Sequence, residues 1–239
     1  MSLSLEIRQD GVIGVEEGRD TNAVERFSMK FIEKGGDCNA VTHVSMDMSK
    51  AYQEGSRICF PKAQIVFDHF HVKKLVLDGM DEVRREEQGR QFARSKMAGR
   101  KLLMIPEGRM DQKQKAAQEA LCRQYPKTGR AFRMVQQFDD IYRCQLSQEA
   151  EEILRQLTSW MMHSRLDPMK KVAESLRKNK SEILEYFTHR LTNAFAEGIN
   201  SLIQTGKRKA RGFRTFMGYR TMIFLAVGKL QLAYPRPFL

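Results

Sequence analysis

Every recognisable β-strand in this chain lies before residue 68, and from His71 to about Arg190 the β signal disappears. S-L-S-L-E-I (2–7) alternates, and V-I-G-V (12–15) follows an Asp10-Gly11 turn signal, so the two form a hairpin. Thr21 to Lys34 carries Val24, Phe27, Phe31 and Ile32 at helical spacing and stops at Gly35-Gly36. A-V-T-H-V-S-M (40–46) is the next strand, Ser49 caps a short helix closed by Phe60-Pro61, and A-Q-I-V-F (63–67) is another strand. Strand, helix and strand at this spacing imply a parallel pair joined by a right-handed crossover. Beyond it the periodicity is helical. Asp111 to Cys122 is one helical stretch. Ser147 caps a second, with Ile153, Leu154, Leu157, Trp160 and Met161 on one face. Asp167-Pro168 starts a third, and a long helix runs from about Ser181 through Glu197 towards Gly212. The middle of the chain is thus an all-helical block between a strand layer and a final helix.

Charge narrows the partners. A net charge of +12 and a pI near 9.7 favour polyanions, nucleic acid first and an anionic membrane surface second. No apolar stretch approaches the ~20 residues that a membrane span needs, and M-S-L-S-L-E-I-R-Q lacks the basic and apolar regions of a signal peptide. Cys38, Cys59, Cys122 and Cys144 show no C-x-x-C pairing and no histidine at zinc-like spacing. They read as reduced, mostly buried thiols of a cytoplasmic protein.

Three acids stand out by position. Asp47 directly follows one strand and Asp68 the next, and in open α/β sheets ligands bind at the carboxyl ends of strands. An aspartate there is also an ordinary helix cap. Glu197 is the third, in N-A-F-A-E-G-I-N-S-L-I-Q (193–204), just ahead of K-R-K-A-R-G-F-R. Asn193, Glu197, Asn200, Gln204, Arg208 and Arg211 follow at intervals of three or four and form one polar face, while Leu191, Phe195, Ile199 and Leu202 line an apolar one. One helix can then pack on a core, hold a carboxylate and carry Lys207, Arg208, Lys209, Arg211 and Arg214 onto phosphates. Carboxylates converging from separate elements suit hard divalent cations such as magnesium, and two such metals ~4 Å apart serve phosphodiester chemistry. Arg84, Arg85, Arg130 and Arg133 read as ordinary solvated faces.

V-S-M-D-M-S-K-A-Y (44–52), F-P-K-A-Q-I-V-F-D-H-F-H-V (60–72) and E-G-I-N-S-L-I-Q-T-G-K-R-K-A-R-G-F-R (197–214) resemble the core motifs of bacterial insertion-sequence transposases, the ISL-three group of the DDE transposases. E-E-G-R-D (16–20) and S-R-L-D-P (164–168) fit the same pattern, in order, over nearly the whole chain. The resemblance implies a ribonuclease-H-like α/β fold with a large all-helical insertion before the last catalytic helix. It also implies metal-dependent DNA cleavage and strand transfer, with magnesium or manganese as cofactor. By it Asp47 matches the second acid of the triad and Glu197 the third, both metal ligands. Asp68 and His71 resemble an accessory acid–x–x–His element, with Asn193 and Asn200 accessory on the Glu197 helix.

The first acid belongs on a first strand ahead of the hairpin, a strand that would precede Met1. The chain is therefore expected to be the C-terminal part of a transposase, an incomplete ribonuclease-H-like fold that is inactive alone. The expected domains are residues 1–71 (α/β core), 72–190 (helical insertion) and 191–239 (the Glu197 helix, basic segment and C-terminal helix). The expected partners are DNA and a second copy or full-length transposase, with no membrane, in the bacterial cytoplasm at the nucleoid. The alternative is a non-catalytic DNA-binding remnant able to poison full-length transposase.

Overall fold

The computed structural model describes residues 3–4, 7–8, 11–12, 14–18, 20–89, 93–105, 110–189 and 194–227, with the backbone alone for 3–12, 93–98, 189, 194–200 and 227. It is a mostly helical α/β structure with a small parallel sheet, and it divides into two compact units, residues 1–65 with 191–239 and residues 66–190.

In the first unit, β1 (Leu3–Ser4) pairs antiparallel with β4 (Glu16–Glu17), and β2 (Ile7–Arg8) with β3 (Gly11–Val12). The expected hairpin is present, in a register that sets Ile7 opposite Val12 and Arg8 opposite Gly11. Asp20 caps α1 (Thr21–Glu33) by accepting the Ala23 N–H at 3.0 Å. The helix ends where Gly35 takes φ +82° and the Gly36 N–H reaches back to the Phe31 carbonyl at 2.9 Å, a closure that favours glycine. Val24, Phe27 and Phe31 are buried, joined by Phe60, with the Phe27 and Phe31 rings stacked 6.5 Å apart. Ile32, expected on the same face, is 57% exposed. It lies about 100° around the helix from Phe31 and so turns off the core.

β5 (His43–Met46), α2 (Lys50–Cys59) and β6 (Gln64–Phe67) form the strand–helix–strand element, and β5 pairs with β6. Ser49 occupies the N-cap of α2 but makes no side-chain cap bond. Its N–H instead donates to Asp47 at 2.9 Å, so the aspartate and not the serine ties the strand end to the helix start.

α10 (Ala194–Lys209) and α11 (Phe216–Val227) complete this unit over a core of Val15, Ile203, Tyr219 and Ile223. α9 (Lys180–His189, in the second unit) and α10 occupy the span read as one long helix, and residues 190–193 between them lie outside the described residues. Leu202, expected on the apolar face, is 55% exposed while Ile203 is buried. The contact line with α11 runs through Ile203 and Gly206. A Cβ on Gly206 would stand 2.7 Å from the Met222 Sδ, so the missing side chain is what lets the helices approach. Leu202 lies off that line.

Among its described residues the second unit is built of helices and their connections, apart from the end of β6. α3 (His69–Gln88) packs on α4 (Ala93–Met104), α6 (Pro126–Ile141), α8 (Asp167–Lys178) and α9, with α5 (Gln112–Gln124) and α7 (Ser147–Met162) completing it. Its core includes Met80, Met134, Phe138, Leu154, Leu157, Met161, Met169, Leu176 and Ile183. Ile153 and Trp160, expected with the α7 face, are only half-buried at its margins.

Three local expectations shift here. Ser147 and Asp167 are first helical residues rather than caps, behind Leu146 and Leu166. Asp167 instead pairs with Lys170 at 2.9 Å, an acid in the first turn that complements the helix dipole. Arg84 is not solvated: it is buried and bonds Asp81 through both Nε and Nη2 at 2.8 Å, while Arg130 donates to the Ser164 carbonyl at 2.9 Å. A buried guanidinium persists because its donors are matched. The four cysteines are free thiols but half-buried rather than fully buried.

Candidate catalytic acids and nucleic-acid interface

Asp47 follows β5 directly and is half-buried. One carboxylate oxygen takes the Ser49 N–H, which holds the side chain at the strand end, and the other accepts no hydrogen bond among the described residues. A carboxylate fixed through one oxygen and open at the other suits a hard cation. Glu197 lies on the backbone of α10. Its side chain, like those of Asn193 and Asn200, lies outside the described residues, as does the backbone of Asn193. Among the described residues no group of three or more His, Cys, Asp or Glu is placed to hold a metal.

Asp68 and His71 come together. Asp68 caps α3, with one oxygen accepting the Phe70 N–H at 3.0 Å, and its other oxygen lies 2.8 Å from His71 Nδ1. The carboxylate is 11% exposed and the imidazole 52%. A neutral histidine that donates from Nδ1 carries its acceptor lone pair on Nε2, so the aspartate selects the tautomer.

Sequence reasoning missed what surrounds this pair. His69 packs in a triangle with the rings of Tyr142 at 5.2 Å and Tyr186 at 5.9 Å, which are themselves 5.3 Å apart, and its Nδ1 lies 4.0 Å from Asp68. Tyr142 also meets Phe138 and Phe187, at 5.5 and 5.7 Å. Its hydroxyl is buried with no hydrogen-bond partner among the described residues. Burial, then Tyr186, then Asp68 push the phenol far above its ordinary pKa. The chain distance between Asp68 and Tyr142 or Tyr186 hides this wall; the only local hint is aromatic residues near the ends of α6 and α9.

The basic run caps α10. Lys207, Arg208 and Lys209 occupy its last turn, where cations are favoured by the exposed carbonyls. The chain then reverses: Gly212 has φ +97° and returns its N–H to the Lys207 carbonyl at 3.0 Å. Arg211 itself has φ +52°, a strained conformation for a residue with a Cβ. Arg208, Lys209, Arg211 and Arg214 are exposed, and Lys207 lies over the Tyr219 ring at 5.9 Å. From Gly198 to Leu239 the sequence holds eight lysines and arginines and no aspartate or glutamate. That segment alone thus accounts for most of the chain's positive surplus.

The family model described as Transposase, for the ISL-three group of DDE transposases, matches residues 3–223, and the chain belongs to that family. Comparison with curated proteins and with solved structures returned no match. Members of this family act on DNA and generally use a divalent metal. No described helix is long and apolar enough to cross a membrane.

Proposed function

We propose that this chain is the catalytic-domain portion of an insertion-sequence transposase, with a ribonuclease-H-like core interrupted by the helical insertion of residues 72–190. The family match over residues 3–223 carries this reading. In it Asp47 and Glu197 hold magnesium or manganese, which supplies the Lewis acidity for phosphodiester cleavage and strand transfer. The open oxygen of Asp47 fits that role. The Asp68–His71 pair is accessory: Asp68 holds the imidazole so that Nε2 is the acceptor towards a water proton. Asn193 and Asn200 assist on the Glu197 helix. Lys207, Arg208, Lys209, Arg211 and Arg214 grip the backbone of the DNA. The protein works in the bacterial cytoplasm at the nucleoid, as an oligomer or with full-length transposase.

The family resemblance assigns this chain two of the three acids. The purified chain is accordingly expected to bind duplex DNA without nicking it. Nicking with magnesium or manganese that disappears in Asp47→Ala and Glu197→Ala would show that the chain completes its own site.

The eight cations of residues 198–239, uninterrupted by an acid, favour a second reading. In that reading the chain is a DNA-binding protein without catalysis that interferes with full-length transposase. Its signature is salt-sensitive DNA binding that survives Glu197→Ala and weakens when Lys207, Arg208 and Arg211 are neutralised together. Loss of binding in Glu197→Ala with the basic run intact would overturn it.

A further inference from the structure

One buried carboxylate in the helical unit is faced by three arginines. Asp81 of α3 is 8% exposed. Arg84 meets its Oδ1 with both Nε and Nη2 at 2.8 Å, so one buried guanidinium already matches the buried charge. The other oxygen, Oδ2, is shared. Arg85 Nε lies 3.5 Å from it, and Nε of Arg100, on α4, lies 3.4 Å from it. Two guanidinium groups that reach the same oxygen atom are neighbours. Their side chains are 63% and 50% exposed, against 4% for Arg84.

The outer ends of this pair are open among the described residues. Arg85 donates its Nε–H to the Asp81 carbonyl at 3.4 Å, so its bonded nitrogen is the inner one. Neither Arg85 nor Arg100 has a second carboxylate partner there, and the Nη groups of both make no hydrogen bond. Asp81 does not account for them. Arg84 satisfies it, an exposed ion pair adds little once solvent screens it, and two cations at one oxygen repel each other. The sequence concentrates the charge further. Arg84 to Lys101 holds seven lysines and arginines against two acids, Glu86 and Glu87, and Glu87 is committed to the start of α6. An arginine tethered at Nε keeps two Nη groups for another acceptor, in the fork that matches phosphate oxygens. Tethering also reduces the side-chain freedom lost on contact.

We infer that Arg85 and Arg100, tethered by Asp81, form a contact for DNA backbone phosphate on the helical unit, in addition to the basic end of α10. The inference rests on the DNA-binding reading and gives the helical insertion a part in it. The contact is with phosphate and is insensitive to base sequence.

The test is equilibrium binding of the full chain to a fluorescent duplex of arbitrary sequence over a range of salt. Arg85→Gln combined with Arg100→Gln is expected to lower the slope of log K against log salt by at least about 0.9, the value of one phosphate contact. Binding should fall several-fold at moderate salt. Arg143→Gln combined with Arg155→Gln removes the same charge from exposed ion pairs on the same unit and should leave the slope unchanged.

If both double variants lower the slope alike, the effect is net charge and the contact is overturned. If neutralising Lys207, Arg208 and Arg211 weakens binding but the Arg85–Arg100 variant keeps the wild-type slope, this contact alone fails and the two arginines merely surround Asp81. If the wild-type chain shows no salt-sensitive binding, the DNA-binding reading fails and the inference with it. Arg100→Gln alone leaves Asp81 paired with Arg84 and Arg85, which keeps the test decisive should the double variant fold poorly. An unchanged slope there counts against the proposal.

Discussion

At the scale of single residues, Tyr142 is where packing and polarity conflict most openly. Its ring is held by Phe138, Phe187, Tyr186 and His69, while its buried hydroxyl finds no acceptor among the described residues. A buried polar group without a partner costs roughly 1–3 kcal/mol. Tyr142→Phe keeps the ring and removes the penalty, so the variant should melt higher, by about 1 kcal/mol on the scale of such groups. The pH dependence follows the same logic. The folded phenol titrates far above the unfolded value of 10.0, so its protonated form is favoured by folding. That contribution is fully present below pH 10 and is lost as pH rises towards the folded pKa. Wild-type stability should therefore fall more steeply than that of Tyr142→Phe above pH 10, measured by chemical denaturation across the alkaline range. Equal slopes would mean that the phenol is solvated. Asp47 makes a different point at this scale: one carboxylate both closes a turn and leaves an oxygen open, so the capping and metal-binding readings are compatible.

Between elements, the helical unit relies on contacts across the chain. The start of α6 has Pro126 in its first turn and no cap from its own N-cap residue, Tyr125. Glu87 at the end of α3 supplies the cap. Its carboxylate accepts from the Lys127 N–H at 2.9 Å, the Thr128 N–H at 2.6 Å and the Thr128 hydroxyl at 2.7 Å. Glu87→Ala should destabilise the protein by about 2 kcal/mol, at the upper end of cap removal, and Glu87→Gln by less because one acceptor remains. Thermal melts of the two variants order them; equal melts would show that water replaces the cap. Gly79 is the packing counterpart. A Cβ there would meet the Val172 Cγ2 at 2.6 Å, so α3 and α8 touch through the missing side chain. Glycine inside a helix ordinarily loses ~1 kcal/mol to alanine, but at this position Gly79→Ala should destabilise by about 1–3 kcal/mol through overpacking. Gain of stability would show that α8 yields.

Across the whole molecule, the helical unit is continuous in sequence and the α/β unit is assembled from both ends of the chain. The former encloses its own core, from Met80 to Ile183, so residues 66–190 expressed alone should unfold cooperatively on heating with helical circular dichroism. A broad, non-cooperative melt would show that the unit depends on the rest of the chain. The charge is divided as unevenly as the chain. The segment after Glu197 carries its cations without a single acid, and Lys30 and Lys34 at the end of α1 join Arg220 of that segment around one recess.

Much of this was legible in the chain itself. Period-two and period-3.6 patterning located the strand–helix–strand element and α1, α5, α7 and α8, because burial of one face depends on local spacing. The motifs around Asp47, Asp68 and the Glu197 helix identified the family. The Asp68–His71 bond also follows from local order, since a cap and a residue three positions on share the first turn. What the tertiary structure decided are contacts between residues far apart in sequence. Leu202 and Ile203 are equally apolar, and only the approach of α11 at Gly206 selects which is buried. Tyr142 reaches the Asp68 end of α3 from another helix, and Lys34 of α1 lies 5.7 Å from the Phe224 ring of α11. Local patterning specifies what each element can bury, but the choice among those possibilities is a free energy shared between elements, settled only when they pack.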